Sequence, residues 1–144
     1  MADRLDLGPL ENTTGYLLRA AWRHSARTFT AYFQSVDINQ QQYAILTLIN
    51  GNPGCAVGDL SEPLGITPNN IVGLIGGLVK RKLVARAVHP DDRRVRTLRL
   101  TKSGEAFLRE LFAIHAEYEA EYNRRLGEQR IAALCALLRD FDRL

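Results

Sequence analysis

Residues 57–104 read VGDLSEPLGITPNNIVGLIGGLVKRKLVARAVHPDDRRVRTLRLTKSG, and the changes of pattern inside them decide the fold. Val57, Leu60 and Leu64 form a short helical face, and Gly65 turns the chain after it. Ile66 plugs the core, and Thr67 stands where it can cap a second helix. Pro68 takes that helix's first position, where a missing N–H costs nothing. Ile71, Leu74/Ile75 and Leu78 then recur at spacings of three and four, to an end near Arg81 or Lys82. There the period changes. Val84 to Val88 and Val95 to Leu100 are β-compatible runs flanking the turn-forming His89-Pro90-Asp91-Asp92, a hairpin with a loop longer than two residues.

The same stretch concentrates the charge. The chain has 144 residues with a net charge of only +3. Between Lys80 and Lys102, however, stand nine cations (Lys80, Arg81, Lys82, Arg86, Arg93, Arg94, Arg96, Arg99 and Lys102) against Asp91 and Asp92. The segment is therefore +7 and the remainder −4. A basic island in an acidic body is the footprint expected of a polyanion-binding protein, although a solvated basic face would look the same from charge alone.

Working outward, Asn12, Thr13 or Thr14 can cap a helix reaching about Phe33, whose apolar face runs through Leu18, Trp22, Ser25/Ala26, Phe29 and Phe33. Arg19, Arg23 and Arg27 stack on another side at i, i+4 and i+8, where like charges repel and an anion would be welcome. Asn39 caps a helix carrying Tyr43, Leu46 and Ile49, ended by Gly51-Asn52-Pro53-Gly54. After the hairpin, Thr101 caps a helix with Leu108, Leu111, His115, Tyr118 and Tyr122 at seam spacing, and Glu105 complements its dipole. Leu126-Gly127 breaks it. A last helix aligns Ile131, Leu134/Cys135, Leu138 and Phe141.

Several classes are excluded or unsupported. With 46% hydrophobic residues the chain is neither disordered nor low-complexity, and its length suits one domain with a real core. No apolar run approaches the roughly 18–20 residues of a membrane span, and Met1-Ala2-Asp3-Arg4-Leu5-Asp6 lacks the apolar core of a secretory signal, so a cytoplasmic protein is expected. Cys55 and Cys135 are far apart, and His24, His89 and His115 are scattered. No metal quartet and no cofactor motif follow, and no nucleophile–base constellation argues for an enzyme.

The order helix, helix, short helix, helix, hairpin, helix, helix describes a mainly α protein: a winged helix-turn-helix with a small two-stranded wing, flanked by N- and C-terminal helices. A helix fits the DNA major groove, and a ribbon can place its tip in the neighbouring minor groove. The basic island coincides with the end of that helix and the hairpin. At this level the chain resembles the MarR family of bacterial transcription regulators. The resemblance is carried by Asp92-Arg93-Arg94 followed by Leu100-Thr101-Lys102-Ser103-Gly104, the family's wing pattern. It is supported by Leu60…Leu64-Gly65-Ile66, by Leu78-Val79-Lys80-Arg81-Lys82-Leu83-Val84-Ala85-Arg86, and by Asn39-Gln40-Gln41-Gln42-Tyr43.

The resemblance implies a single domain over 1–144. Within it, about 36–100 form the DNA-binding region, and about 12–33 and 101–144 supply helices that interlock in a homodimer. It further implies a repressor that binds a near-palindromic double-stranded operator and leaves it when a small, aromatic or anionic effector binds; when bound, it would sit on the bacterial nucleoid. From the residues alone, the stripes of the last two helices could equally fill one chain's own core.

Thr67, Asn69 and Asn70 are the candidates for base readout, since Asn can pair bidentately with adenine and a helix start can bind phosphate. Thr67 also reads simply as a cap. Gly73, Gly76 and Gly77 depart from the family pattern; they either allow closer approach to DNA or reduce base contacts. Arg94 matches the family's wing-tip arginine, which enters the minor groove. Asp92 structures the wing by pairing with Arg94 or Arg86, and Arg93, Arg96 and Lys102 are candidate phosphate contacts. Trp22, Arg23, His24 and Arg27, with Phe112 and His115, are the candidate effector pocket, and the Arg19/Arg23/Arg27 stack suits a bulky anion such as an acyl-coenzyme A thioester. The competing readings are a cysteine redox-responsive regulator, through an exposed Cys55, and a winged-helix protein-interaction module.

Overall fold

A computed structural model describes residues 5–143; the Met1–Arg4 part of the polar N-terminal segment and Leu144 lie outside the described residues. A short 3₁₀ turn, Gly8–Asn12, leads into α1 (Thr14–Phe33), followed by α2 (Gln40–Gly51). A 3₁₀ turn over Val57–Leu60 runs directly into the single-turn helix α3 (Ser61–Leu64), so the short helix expected over 57–64 is present as two unlike halves. Then come α4 (Pro68–Lys80), the strands β1 (Val84–Val88) and β2 (Arg96–Leu100), α5 (Lys102–Leu126) and α6 (Glu128–Phe141). No helix among the described residues is long and apolar enough to cross a membrane.

Local chemistry sets most of these boundaries. Asn39 and Gln42 form a reciprocal capping box: the Asn39 carboxamide oxygen accepts from the Gln42 backbone N–H at 2.8 Å, and the Gln42 side chain accepts from the Asn39 N–H at 3.2 Å. Gly65 ends α3 in the left-handed region at φ 60°, which favours glycine. Thr67 does not cap α4 through its side chain. Its backbone is extended, as a cap's should be, and Pro68 at N1 brings no N–H of its own to satisfy. Thr101 does cap α5. Its hydroxyl accepts from the Gly104 N–H at 2.9 Å and donates to the Lys82 carbonyl at 2.6 Å, which ties the start of α5 to the turn between α4 and β1. A Cβ on Gly104 would lie 2.0 Å from the Leu83 carbonyl oxygen, so only glycine permits this approach.

β1 and β2 are antiparallel, with Val84 opposite Leu100 and Val88 opposite Arg96. The sheet has a further contact the sequence did not reveal. Ala56 bridges Thr97, the Gly54 N–H donates to the Leu98 carbonyl at 2.8 Å, and the Leu98 N–H donates to the Cys55 carbonyl at 2.9 Å. The wing is thereby stitched through the middle of β2 to the loop after α2.

Ile45, Leu46, Ile49, Ile71, Ile75, Leu78, Leu98 and Leu111 are completely buried, which locks α2, α4, β2 and α5 around one core. Each such side chain contributes about 1.5–3 kcal/mol by leaving water. Aromatic rings join α1 to this core: Phe29 stacks on Phe33 with centroids 3.9 Å apart, and both meet Tyr43. Two expectations are corrected here. The α5 stripe Leu108, Leu111 and Tyr118 is buried within the single chain, so it is core and not a dimer seam. Trp22 is 64% exposed, because the buried face of α1 begins only at Phe29. The α6 stripe is different: Leu134, Leu137, Leu138 and Phe141 are all exposed, and no residue of α6 is buried.

Candidate DNA-binding face and effector pocket

The first turn of α4 presents Asn69 and Asn70 to solvent, and among the described residues neither amide has a protein hydrogen-bond partner. Both are free to bond a ligand. Ile71, Ile75 and Leu78 hold the opposite side of the helix in the core, which fixes its rotation. Thr67, just before it, is also exposed.

In the wing, Asp92 is paired with Arg94 and not with Arg86. One carboxylate oxygen accepts from the Arg94 backbone N–H at 2.9 Å and from its guanidinium Nε at 3.3 Å. Further turn bonds, His89 N–H to the Val95 carbonyl and Val95 N–H to the Asp92 carbonyl, close the loop. The Arg94 side chain nevertheless remains 92% exposed, so Asp92 shapes the tip without withdrawing the cation from solvent. Arg93 is exposed, and its carbonyl accepts from the Arg96 guanidinium at 3.3 Å. Lys102 is exposed at the start of α5.

Between α4 and the wing lies an open cleft of about 490 Å³, with an apolar floor of Val57, Val72 and Val95 and a rim of Arg86, Arg94 and Arg96. Arg86, expected to structure the wing, thus stands with the other cations. Not every member of the basic island does. The Arg81 guanidinium donates to the Asp37 carbonyl at 2.6 Å and lies 5.2 Å from the Phe107 ring centroid, so it braces α4 against α1's exit and α5.

A second pocket, of about 370 Å³, opens between α1 and the end of α5. It brings His24 and Arg27 together as expected, and adds Tyr32, Glu121, Tyr122 and Arg125, which the sequence reading missed. Glu121 bonds both Arg124 and Arg125, and these hydrogen bonds hold its carboxyl below the usual glutamate range. Beneath the pocket the Tyr118 hydroxyl accepts from Tyr122 at 3.2 Å and lies 2.7 Å from the Ser25 hydroxyl; burial pushes its pKa up to about 12.

Trp22, Arg23, Phe112 and His115 do not line this pocket. His115 instead stacks on Tyr43, centroids 4.8 Å apart, and burial lowers its pKa against a smaller opposing pull from Glu119. Phe112 meets the same tyrosine edge-on at 6.4 Å. Of the Arg19/Arg23/Arg27 stack, only Arg27 faces the pocket. Cys55 is half-buried, and burial followed by the Asp59 charge raises its thiol pKa, the reverse of what a reactive cysteine needs.

Comparison with known proteins agrees with this geometry. Residues 36–95 match the family model described as the MarR family. The uncharacterized HTH-type transcriptional regulator YhbI of Bacillus subtilis (strain 168) is 24% identical over 126 residues, covering 88% of this chain and 82% of that protein. The transcriptional repressor CouR, solved bound to a 23-mer DNA duplex, superposes with a TM-score of 0.91 at 29% identity, over 96% of this chain and 99% of that one. CouR bound to p-coumaroyl-CoA gives 0.89 at 28% identity, over 97% and 99%.

Proposed function

We propose that the chain is a MarR-type winged helix-turn-helix transcription regulator, a homodimeric repressor that binds near-palindromic operator DNA and releases it on binding a small anionic effector. The observation that carries this reading is the arginine-rimmed cleft beside the free first turn of α4. One surface thereby offers base-reading amides, a helix start and three guanidinium groups to a polyanion.

In this reading Asn69 and Asn70 contact base edges, with Thr67 at the helix entrance. Arg94 enters the minor groove, and Arg86, Arg93, Arg96 and Lys102 meet phosphates. Residues of about 36–100 form the DNA-binding region. The exposed apolar side of α6, with the outer part of α1, buries itself against a second copy, since scattered single apolar side chains need no explanation but three leucines and a phenylalanine on one short helix do. The work is done where a bacterial chromosome is, in the cytoplasm at the nucleoid, and requires no catalysis by the protein.

The effector site is the α1–α5 pocket. Arg27 and Arg125 offer positive charge and hydrogen-bond donors, His24 offers its ring nitrogens, and Tyr32 and Tyr122 offer ring faces, a combination suited to an aromatic carboxylate or an aromatic acyl thioester of coenzyme A. The CouR complex with p-coumaroyl-CoA supports the thioester. The test is selection of bound duplexes from random DNA, followed by titration of the selected complex with aromatic acids and their coenzyme A thioesters. An enriched inverted repeat released by one compound class is expected; failure to enrich any sequence would overturn the reading.

A further inference from the structure

Beyond Asn70 the outward side of α4 carries one exposed apolar side chain, Val72, at 52% exposure. Helical spacing aligns Asn69, Gly73, Gly76 and Lys80 along the side opposite the buried Ile71, Ile75 and Leu78. A Cβ at Gly73 or Gly76 would meet nothing within 4 Å, so the chain's own packing does not require glycine there. Each glycine weakens the helix, shifting its equilibrium roughly four- to fivefold against folding relative to alanine. The result is a bare ridge with Val72 beside it, at the floor of the cleft rimmed by Arg86, Arg94 and Arg96.

An exposed isopropyl group among cations gains nothing in the free protein. It gains when an apolar group arrives with the polyanion, and the DNA major groove offers one such group, the C5-methyl of thymine. We propose that Val72 reads a thymine in each half-site through its methyl group, with Arg86 and Arg96 holding the flanking backbone and the bare positions 73 and 76 letting this short side chain reach the base edge. The inference rests on the DNA-binding reading above. Asn69 lies three residues before Val72 on the same side, about 4.5 Å along the helix, close to one base-pair step of about 3.4 Å. The two side chains therefore read neighbouring base pairs, an adenine contacted by Asn69 and a thymine by Val72.

The experiment replaces each thymine of the selected operator, one symmetric pair at a time, by deoxyuridine, which lacks only the methyl. Affinity is read by fluorescence anisotropy at fixed salt. For the natural sequence one pair should weaken binding about fourfold per half-site, or about fifteenfold per duplex, the effect of burying one methyl twice. Val72→Ala should bind thymine and deoxyuridine operators equally at that pair while keeping every other preference. Val72→Thr, which keeps one methyl and the branched shape, should retain part of the discrimination and guards against a folding artefact. Unchanged discrimination in Val72→Ala, or no thymine whose methyl matters, overturns the inference while an enriched operator leaves the DNA-binding reading standing. If the natural chain enriches no operator, both fall.

Discussion

Arg94→Ala separates what the wing does for the fold from what it does for DNA. Among the described residues the polar partner of the Arg94 side chain is Asp92, at 3.3 Å with the arginine 92% exposed, and an ion pair so placed contributes at most about 1 kcal/mol. The turn itself survives the change, because the bond from the backbone N–H of residue 94 to the Asp92 carboxylate does not need the guanidinium. The melting temperature should therefore move by no more than about 3 °C. Binding should respond far more. A hydrogen bond to a charged group is worth about 1.5–3 kcal/mol. Two wings at the lower figure lose about 3 kcal/mol, roughly a hundredfold in Kd, and one wing alone still costs about tenfold. Each charge removed from the backbone's field also lowers the slope of log K against log salt by about 0.9, hence about 1.8 for the dimer. Anisotropy titrations of the selected operator at several salt concentrations read both quantities. Arg94→Lys should keep the slope but lose part of the affinity, since it keeps charge without the planar fork. A well-folded Arg94→Ala protein with unchanged Kd and unchanged slope would remove the wing tip from the mechanism.

Three further outcomes follow from the packing. Gly104→Ala places a methyl 2.0 Å from the Leu83 carbonyl, a backbone atom that cannot swing aside; a loss of about 3 kcal/mol or more, roughly 10 °C in a thermal melt, is expected. Leu134→Glu combined with Leu137→Glu should shift the protein from dimer to single chain in analytical ultracentrifugation with its helical circular dichroism retained, since both side chains are exposed within one chain. His115 is held neutral by burial, with its pKa below the ordinary 6.5. The unfolded chain thus takes up a proton that the folded one refuses, so His115 costs stability as pH falls below about 6.5, and the cost stops growing once pH passes the folded pKa. Melting temperatures from pH 7.5 to pH 5 should show this loss, and His115→Phe should flatten it.

The sequence announced the DNA-binding half more fully than the pocket because its signals are local. Asn39 with Gln42, Gly65, Pro68 and Thr101 with Gly104 each act within a few residues, so spacing alone locates the helix ends they make. The glycine after Thr101 turned out to serve a close backbone approach, which explains why that position admits no side chain. The pocket between α1 and α5 is non-local. Tyr32, Tyr122 and Arg125 meet His24 and Arg27 only once Phe29, Phe33 and Tyr118 have set the register between two helices distant in sequence. The Glu121–Arg125 spacing of four was visible as a helix pair, but nothing in it said which neighbour it would face. Trp22 misled for a related reason: an apolar residue in a helical stripe can be buried by its own chain or by a second copy, and periodicity does not distinguish the two. The α5 and α6 stripes, equally regular in sequence, divided in that way, one into the core and one onto the surface.

In the proposed reading two chains, each with its own α4 and wing, read one inverted repeat. Stoichiometric titration of the selected operator against the same duplex with one half-site scrambled tests it directly. Saturation at two chains per duplex is expected, with a loss of roughly thirtyfold or more on scrambling one arm. Saturation at one chain, or equal affinity for both duplexes, would contradict it.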